Sequence, residues 1–117
     1  MAIIVEGQPV PQFRMNIRSK WNPKSRKSLD YQQAIAWSII ASKMKPLGDS
    51  IVEVEASFYR QGNQKCDLDN LLKSLIDGIQ YSKIINNDNQ VRKIKAEVYY
   101  GQERPRTEFT IRPENNR

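Results

Sequence analysis

Cys66-Asp67-Leu68-Asp69-Asn70-Leu71-Leu72-Lys73-Ser74-Leu75-Ile76-Asp77-Gly78-Ile79 is the stretch from which the rest of the chain can be ordered. Leu68, Leu71, Leu72, Leu75, Ile76 and Ile79 recur at i, i+3, i+4, i+7, i+8 and i+11, which is the period of a helix with one buried face. Asp69, Lys73 and Asp77 repeat at i, i+4 and i+8 along the opposite edge. The helix is expected to stop at Gly78 or at the polar residues after it. A few residues on, Asn86-Asn87-Asp88-Asn89-Gln90-Val91 reads as a turn leading into an extended segment. An amphipathic helix is therefore bracketed by two turns, and both carry carboxylates.

Outward from that centre, alternation marks the strands. Val52, Val54, Ala56 and Phe58 face one way and Glu53, Glu55, Ser57 and Tyr59 the other, so Ile51 to Arg60 is a half-buried strand. Gln90 to Tyr100 alternates in the same manner, with Ile94, Ala96, Val98 and Tyr100 on one side. Thr107 to Ile111 is a last strand. Ala2 to Glu6 is a first one, ended by Gly7, Pro9 and Pro11. From Pro9 to Lys27 neither period is present, and a basic loop is expected that ends where Ser28 caps a first helix. In that helix Tyr31, Ile35 and Ile39 form the buried stripe with Ala34 and Trp37 beside it. Lys43 and Lys45 fall in its last turn, and Pro46 and Gly48 stop it. The expected fold is a single α+β domain over residues 1–117, a mixed or antiparallel sheet of about four strands with two helices packed on it.

Composition narrows the chemistry. The chain of 117 residues has one cysteine and no histidine, which excludes an internal disulfide and a zinc site of sulfur and imidazole. Cys66, with no histidine to activate it, is a poor nucleophile. No Walker-type glycine loop is present. With no apolar run long enough for a bilayer and no basic leader, a cytoplasmic setting is expected. Of 19 cations and 13 acids, six cations (Arg14, Arg18, Lys20, Lys24, Arg26 and Lys27) lie between Gly7 and Leu29 without an acid, so this segment holds the whole net charge of +6. Such a concentration attracts phosphate backbones, although a solvated basic loop is the simpler use. Trp21 in that loop can stack on a base or anchor the loop on the core.

Asp67, Asp69 and Asp88 are candidate ligands for a hard cation such as Mg²⁺ or Mn²⁺, which takes oxygen donors and leaves positions for water and phosphate. Asp88 joins the other two if the strand beginning near Val91 runs beside the loop-to-helix junction. Phosphodiester hydrolysis is the reaction that such a centre serves. Lys73 is placed to reach a phosphate oxygen or the attacking water, and Asn70 to bond a ligand carboxylate or the substrate. Each acid also has a purely structural use. Asp67 can cap the helix, Asp69 can pair with Lys73, Asp88 can sit in an Asx turn, and Asp77 is read as a solvated or pairing carboxylate.

The run Asp67-Leu68-Asp69-Asn70-x-x-Lys73-x-x-x-Asp77, followed by Asn87-Asp88-x-Gln90-Val91, resembles the signature of the RusA family of Holliday junction resolvases. Gly7-x-Pro9-x-Pro11-x-x-Arg14 is similar to that family's opening pattern. The resemblance implies a homodimeric, Mg²⁺-dependent endonuclease that nicks two strands of a four-way DNA junction symmetrically in recombination and repair, from a family often carried by prophages. It carries metal ligation onto Asp67, Asp69 and Asp88, and the catalytic or phosphate-contacting role onto Lys73. Family members commonly have two adjacent acids before x-Gln-Val, and here the first is Asn87. A non-catalytic junction-binding module, and a metal nuclease acting on other branched DNA or on RNA, are the alternatives.

Overall fold

Residues 2–13 and 23–114 are described in the computed structural model, Lys24 by its backbone alone. In chain order the elements are β1 (Ile3–Glu6), α1 (Pro23–Ala41), β2 (Val52–Tyr59), α2 (Leu68–Tyr81), β3 (Val91–Tyr99) and β4 (Arg106–Pro113), with one 3₁₀ turn at Asp88–Gln90 before β3. The strands form one mixed sheet in the order β1-β4-β2-β3. β4 runs antiparallel to both β1 and β2, while β2 and β3 are parallel, Val52 beside Val91 and Tyr59 beside Tyr99. This is the α+β sheet with two helices that the periodicities imply.

Alternation does what the sequence requires of it. Val52, Val54, Ala56 and Phe58 of β2 and Phe109 and Ile111 of β4 are buried, and they meet Tyr31, Ile35 and Ile39 of α1 and Leu71, Leu75 and Ile79 of α2 in one core. The other sheet face is polar and open, with Arg112 donating to Glu53 at 2.8 Å and to Glu55 at 2.9 Å.

The first helix differs from its expected bounds. It begins at Pro23, whose missing N–H and fixed φ suit the first helical position. Ser28 is buried inside it, and its Oγ accepts from Phe13 N at 3.3 Å and from Gln32 Nε2 at 3.2 Å instead of capping. The helix ends at Ala41, and Lys43 takes a left-handed φ of 58°, so Lys43 and Lys45 lie beyond the last turn. Trp37 and Ile40, at 68% and 52% exposure, point away from the core.

Of the two stops expected for α2, the polar residues after Gly78 end it, with Ser82 as C-cap, and Gly78 lies inside the helix. A Cβ there would stand 2.7 Å from Ile35 Cβ and 2.8 Å from the Gln32 carbonyl oxygen. The glycine lets α1 approach α2 closely at this point, so tertiary packing overrides its local meaning as a stop signal.

Candidate active site

The parallel pairing of β2 with β3 decides where the carboxylates go. The chain leaves β2 at Tyr59, enters α2 at the far end of the sheet, and must travel back along α2 before β3 can start beside Val52. At the entry, the Tyr100 hydroxyl accepts from Cys66 N at 3.1 Å and donates to Cys66 O at 3.0 Å, fixing the Cys66–Asp67 turn to the end of β3. At the return, Gln90 holds the turn that carries Asp88. Its Oε1 accepts from Asn86 N and Asn87 N, both at 2.8 Å, and its Nε2 donates to Gly48 O at 2.7 Å and Ser50 O at 2.8 Å. All four hydrogen-bonding positions of the amide are used.

Asp67 and Asp88 thus stand towards opposite ends of β3, a strand of nine residues that spans roughly 25 Å at the usual rise. Among the described residues no three acidic, cysteine or histidine side chains are grouped so as to hold a metal ion. The condition under which Asp88 would join Asp67 and Asp69 in one chain is not met, because β3 begins at the far end from the loop-to-helix junction. The donor chemistry itself suits a hard cation, since every candidate ligand is a carboxylate.

The structural uses of these acids are realised in part. Asp67 occupies the N-cap position of α2, yet its side chain makes no capping hydrogen bond and is exposed. Asp69 pairs with Lys73 at 3.4 Å, with both side chains more than half exposed, an arrangement worth little in stability. The Asx turn is made by Asn87, whose Oδ1 accepts from Asn89 N at 2.9 Å. That role requires only an acceptor oxygen, so asparagine fills it as well as an acid would. Asp88 is exposed. The Asn70 carbonyl accepts from Gln12 N at 2.9 Å, which ties the Pro9–Phe13 segment to α2.

Asp77 is the carboxylate that spacing undervalued. Partial burial raises its pKa, the hydrogen bond donated by Gln12 Nε2 opposes this, and the nearby charge of Asp88 raises it further. Asp77 lies eight residues after Asp69, about 12 Å further along the helix, and so belongs with the Asp88 end. Its contact with Gln12 spans 65 positions, and no local pattern signals that.

Of the basic residues assigned to DNA, Arg26 and Lys27 are exposed on the first turns of α1. Arg14, Arg18 and Lys20 lie outside the described residues, as do Trp21 and the side chain of Lys24.

Residues 6–112 match the family model of Endodeoxyribonuclease RusA, nearly the whole chain. The protein is therefore an endodeoxyribonuclease, an enzyme that hydrolyses DNA. It belongs to the RusA family of Holliday junction resolvases, which act on branched DNA and are in general metal-dependent. No individually curated protein matches the chain. No helix among the described residues is long and apolar enough to cross a membrane.

Proposed function

We propose that the chain is a single cytoplasmic RusA-like domain that resolves four-way junctions as a homodimer, using Mg²⁺ and cutting two strands symmetrically. Each centre takes Asp67 and Asp69 from one copy and Asp88 from the other. The observation that carries this reading is the β2–α2–β3 crossover, which separates Asp67 from Asp88 within one chain by the length of a strand. A two-fold partner running the opposite way brings the missing carboxylate to each end. The outer edge of β3 offers the surface, because β3 ends the sheet and nothing among the described residues pairs with it there. With Ala96 on the two-fold axis, an antiparallel pair of β3 strands sets Ile94 against Val98 on the core face and Lys95 against Glu97 on the open face. Ile94, 43% exposed in the single chain, would be covered.

A bound Mg²⁺ supplies a water of lowered pKa and positive charge where the transition state develops negative charge. Asp67 and Asp69 present uncapped, exposed carboxylates for it. Lys73 exchanges its weak pairing with Asp69 for a phosphate oxygen, and Asn70 extends from the adjacent turn to hold a ligand or the strand. Arg14, Arg18, Lys20, Lys24, Arg26 and Lys27 neutralise phosphates along the arms, with junction shape rather than base edges selecting the substrate.

Complementation tests the arrangement. Asp69→Asn and Asp88→Asn are each inactive alone on a synthetic junction in Mg²⁺. Mixed and allowed to exchange subunits, they regain nicking, because each heterodimer then holds one complete centre and one doubly disabled one. Single nicks should appear rather than paired cuts. Absence of any regain, from variants that still dimerise, means that every centre is built within one chain. A preference for flap, linear duplex or RNA over the four-way junction would overturn the choice of substrate.

A further inference from the structure

We infer that a groove beside the Cys66–Asp67 turn, walled by Val10, Phe13, Lys27, Arg60 and Lys65, is a subsite for a backbone phosphate of the DNA strand flanking the cleaved bond. The inference rests on the branched-DNA reading and adds to it two cations, Arg60 and Lys65, that lie outside the basic segment. The groove encloses about 370 Å³ and has no acidic residue in its wall.

Arg60 carries the argument. It is nine-tenths buried, with 9% of its surface exposed. Its Nε donates to Pro9 O at 3.2 Å and its Nη1 to Gln64 O at 2.9 Å, both neutral acceptors. Arg104, Arg106 and Arg112 are matched by Glu6, Glu108, and Glu53 with Glu55. Arg60 has no carboxylate partner among the described residues, although it is far more buried than Arg104 or Arg112. Burying a guanidinium without a counter-ion is costly, and a bound anion removes that cost. The two carbonyls also fix the plane of the guanidinium, so its fork meets a phosphate without first losing side-chain freedom.

The rest of the wall suits the same ligand. Lys65 Nζ sits 4.8 Å from the centre of the Tyr100 ring, held at the rim by the tyrosine that also clasps Cys66. Lys27 enters from the first turns of α1. Phe13 gives an apolar surface for a sugar or base. Cys66 ends the wall, and Asp67 follows it in the chain, so a strand whose phosphate lies in the groove continues directly to the carboxylates.

The test is equilibrium binding of a labelled four-way junction in chelator, so that cleavage does not enter, across a series of salt concentrations. Arg60→Met should weaken binding about 5- to 10-fold and flatten the plot of log K against log salt by about 0.9 for the lost phosphate contact. Arg60→Lys should recover part of the affinity. Lys65→Gln, at an exposed position, should flatten the slope by a similar amount. Thermal melting should find Arg60→Met folded, the two hydrogen bonds it loses to Pro9 O and Gln64 O being offset in part by removal of an unmatched buried charge. A folded Arg60→Met with parental affinity and slope overturns the inference. If Arg60→Met fails to fold, an unchanged affinity and slope in Lys65→Gln overturns it instead. Parent protein that binds no junction at any salt defeats the branched-DNA reading together with the groove, whereas parental binding with unaffected variants defeats the groove alone.

Discussion

Replacing Gln90 by leucine removes one side chain and four hydrogen bonds, those to Asn86 N, Asn87 N, Gly48 O and Ser50 O. At about 0.5–1.5 kcal/mol net for each bond the gross loss is about 2–6 kcal/mol. Water reaches some of the orphaned groups, because Asn86 and Asn87 are exposed, and the apolar replacement at a buried position returns part of the loss. The net destabilisation is set at about 2–3 kcal/mol, or a fall in Tm of roughly 8–12 °C at about 4 °C per kcal/mol for a domain of this size. Gln90→Glu separates the donor bonds from the acceptor bonds. The introduced carboxylate still accepts from Asn86 N and Asn87 N but faces two carbonyl oxygens, so at neutral pH it should cost at least as much as leucine. That environment raises the new carboxyl's pKa in the fold, so the missing stability is present below the unfolded value and lost as pH rises through the folded one. Thermal unfolding of both variants from pH 3 to pH 8, beside junction cleavage, is the assay. A leucine variant melting within about 2 °C of the parent, or a glutamate variant of parental stability at neutral pH, refutes the view that Gln90 is the staple of the turn carrying Asp88.

Other outcomes follow from the same geometry. Gly78→Ala gains about 1 kcal/mol of helix propensity but forces a Cβ to within 3 Å of Ile35 and the Gln32 carbonyl; overpacking at about 1–3 kcal/mol should dominate, and a urea midpoint at or above the parental one would contradict the close approach of the helices. Asp69→Asn should abolish Mg²⁺-dependent cleavage, a loss of at least about 100-fold, while junction affinity in chelator is kept or rises as a negative charge leaves the DNA-facing edge. Asp77→Asn keeps an acceptor for Gln12 and removes a carboxylate whose pKa is raised by burial and by Asp88. In the parent, the stability linked to protonated Asp77 is present below the unfolded carboxyl value and lost as pH rises through the folded one, so the variant should be more stable than the parent at neutral pH. The difference should vanish in acid, and a melting difference independent of pH would exclude the linkage.

What could be read from the residues was whatever depends on near neighbours. The alternation of Val52, Val54, Ala56 and Phe58 gave β2, and the leucine and isoleucine spacing gave α2 and its buried face, because both are periods of the backbone itself. The start of α1 was hidden: Pro23 and the cations around it carry no apolar period, and Ser28, a good cap by type, turns inward to serve Phe13 and Gln32. Of the two stops offered for α2, the polar residues after Gly78 are the one used, at Ser82, and Gly78 is glycine for a reason that lies on another helix, at Ile35. At the candidate site, the residues offer three acids, but their relative placement is not a local property. The parallel direction of β3 relative to β2 sets that, and strand direction is a property of the whole sheet. The bonds from Gln90 to Gly48 and Ser50 and the link from Gln12 to Asp77 were equally invisible, each bridging 40 positions or more.

Tyr100 clasps the entry to α2 and Gln90 clasps the turn before β3, so the crossover is anchored at both extremities. Such a segment is a gauge block, its length dictated by the number of residues in β3. In the two-fold enzyme proposed above, that gauge governs the spacing of the two incisions. Two residues added to β3 lengthen it by about 7 Å, a step of about two base pairs along a duplex, which should displace the cuts relative to the branch point without altering the chemistry that makes them.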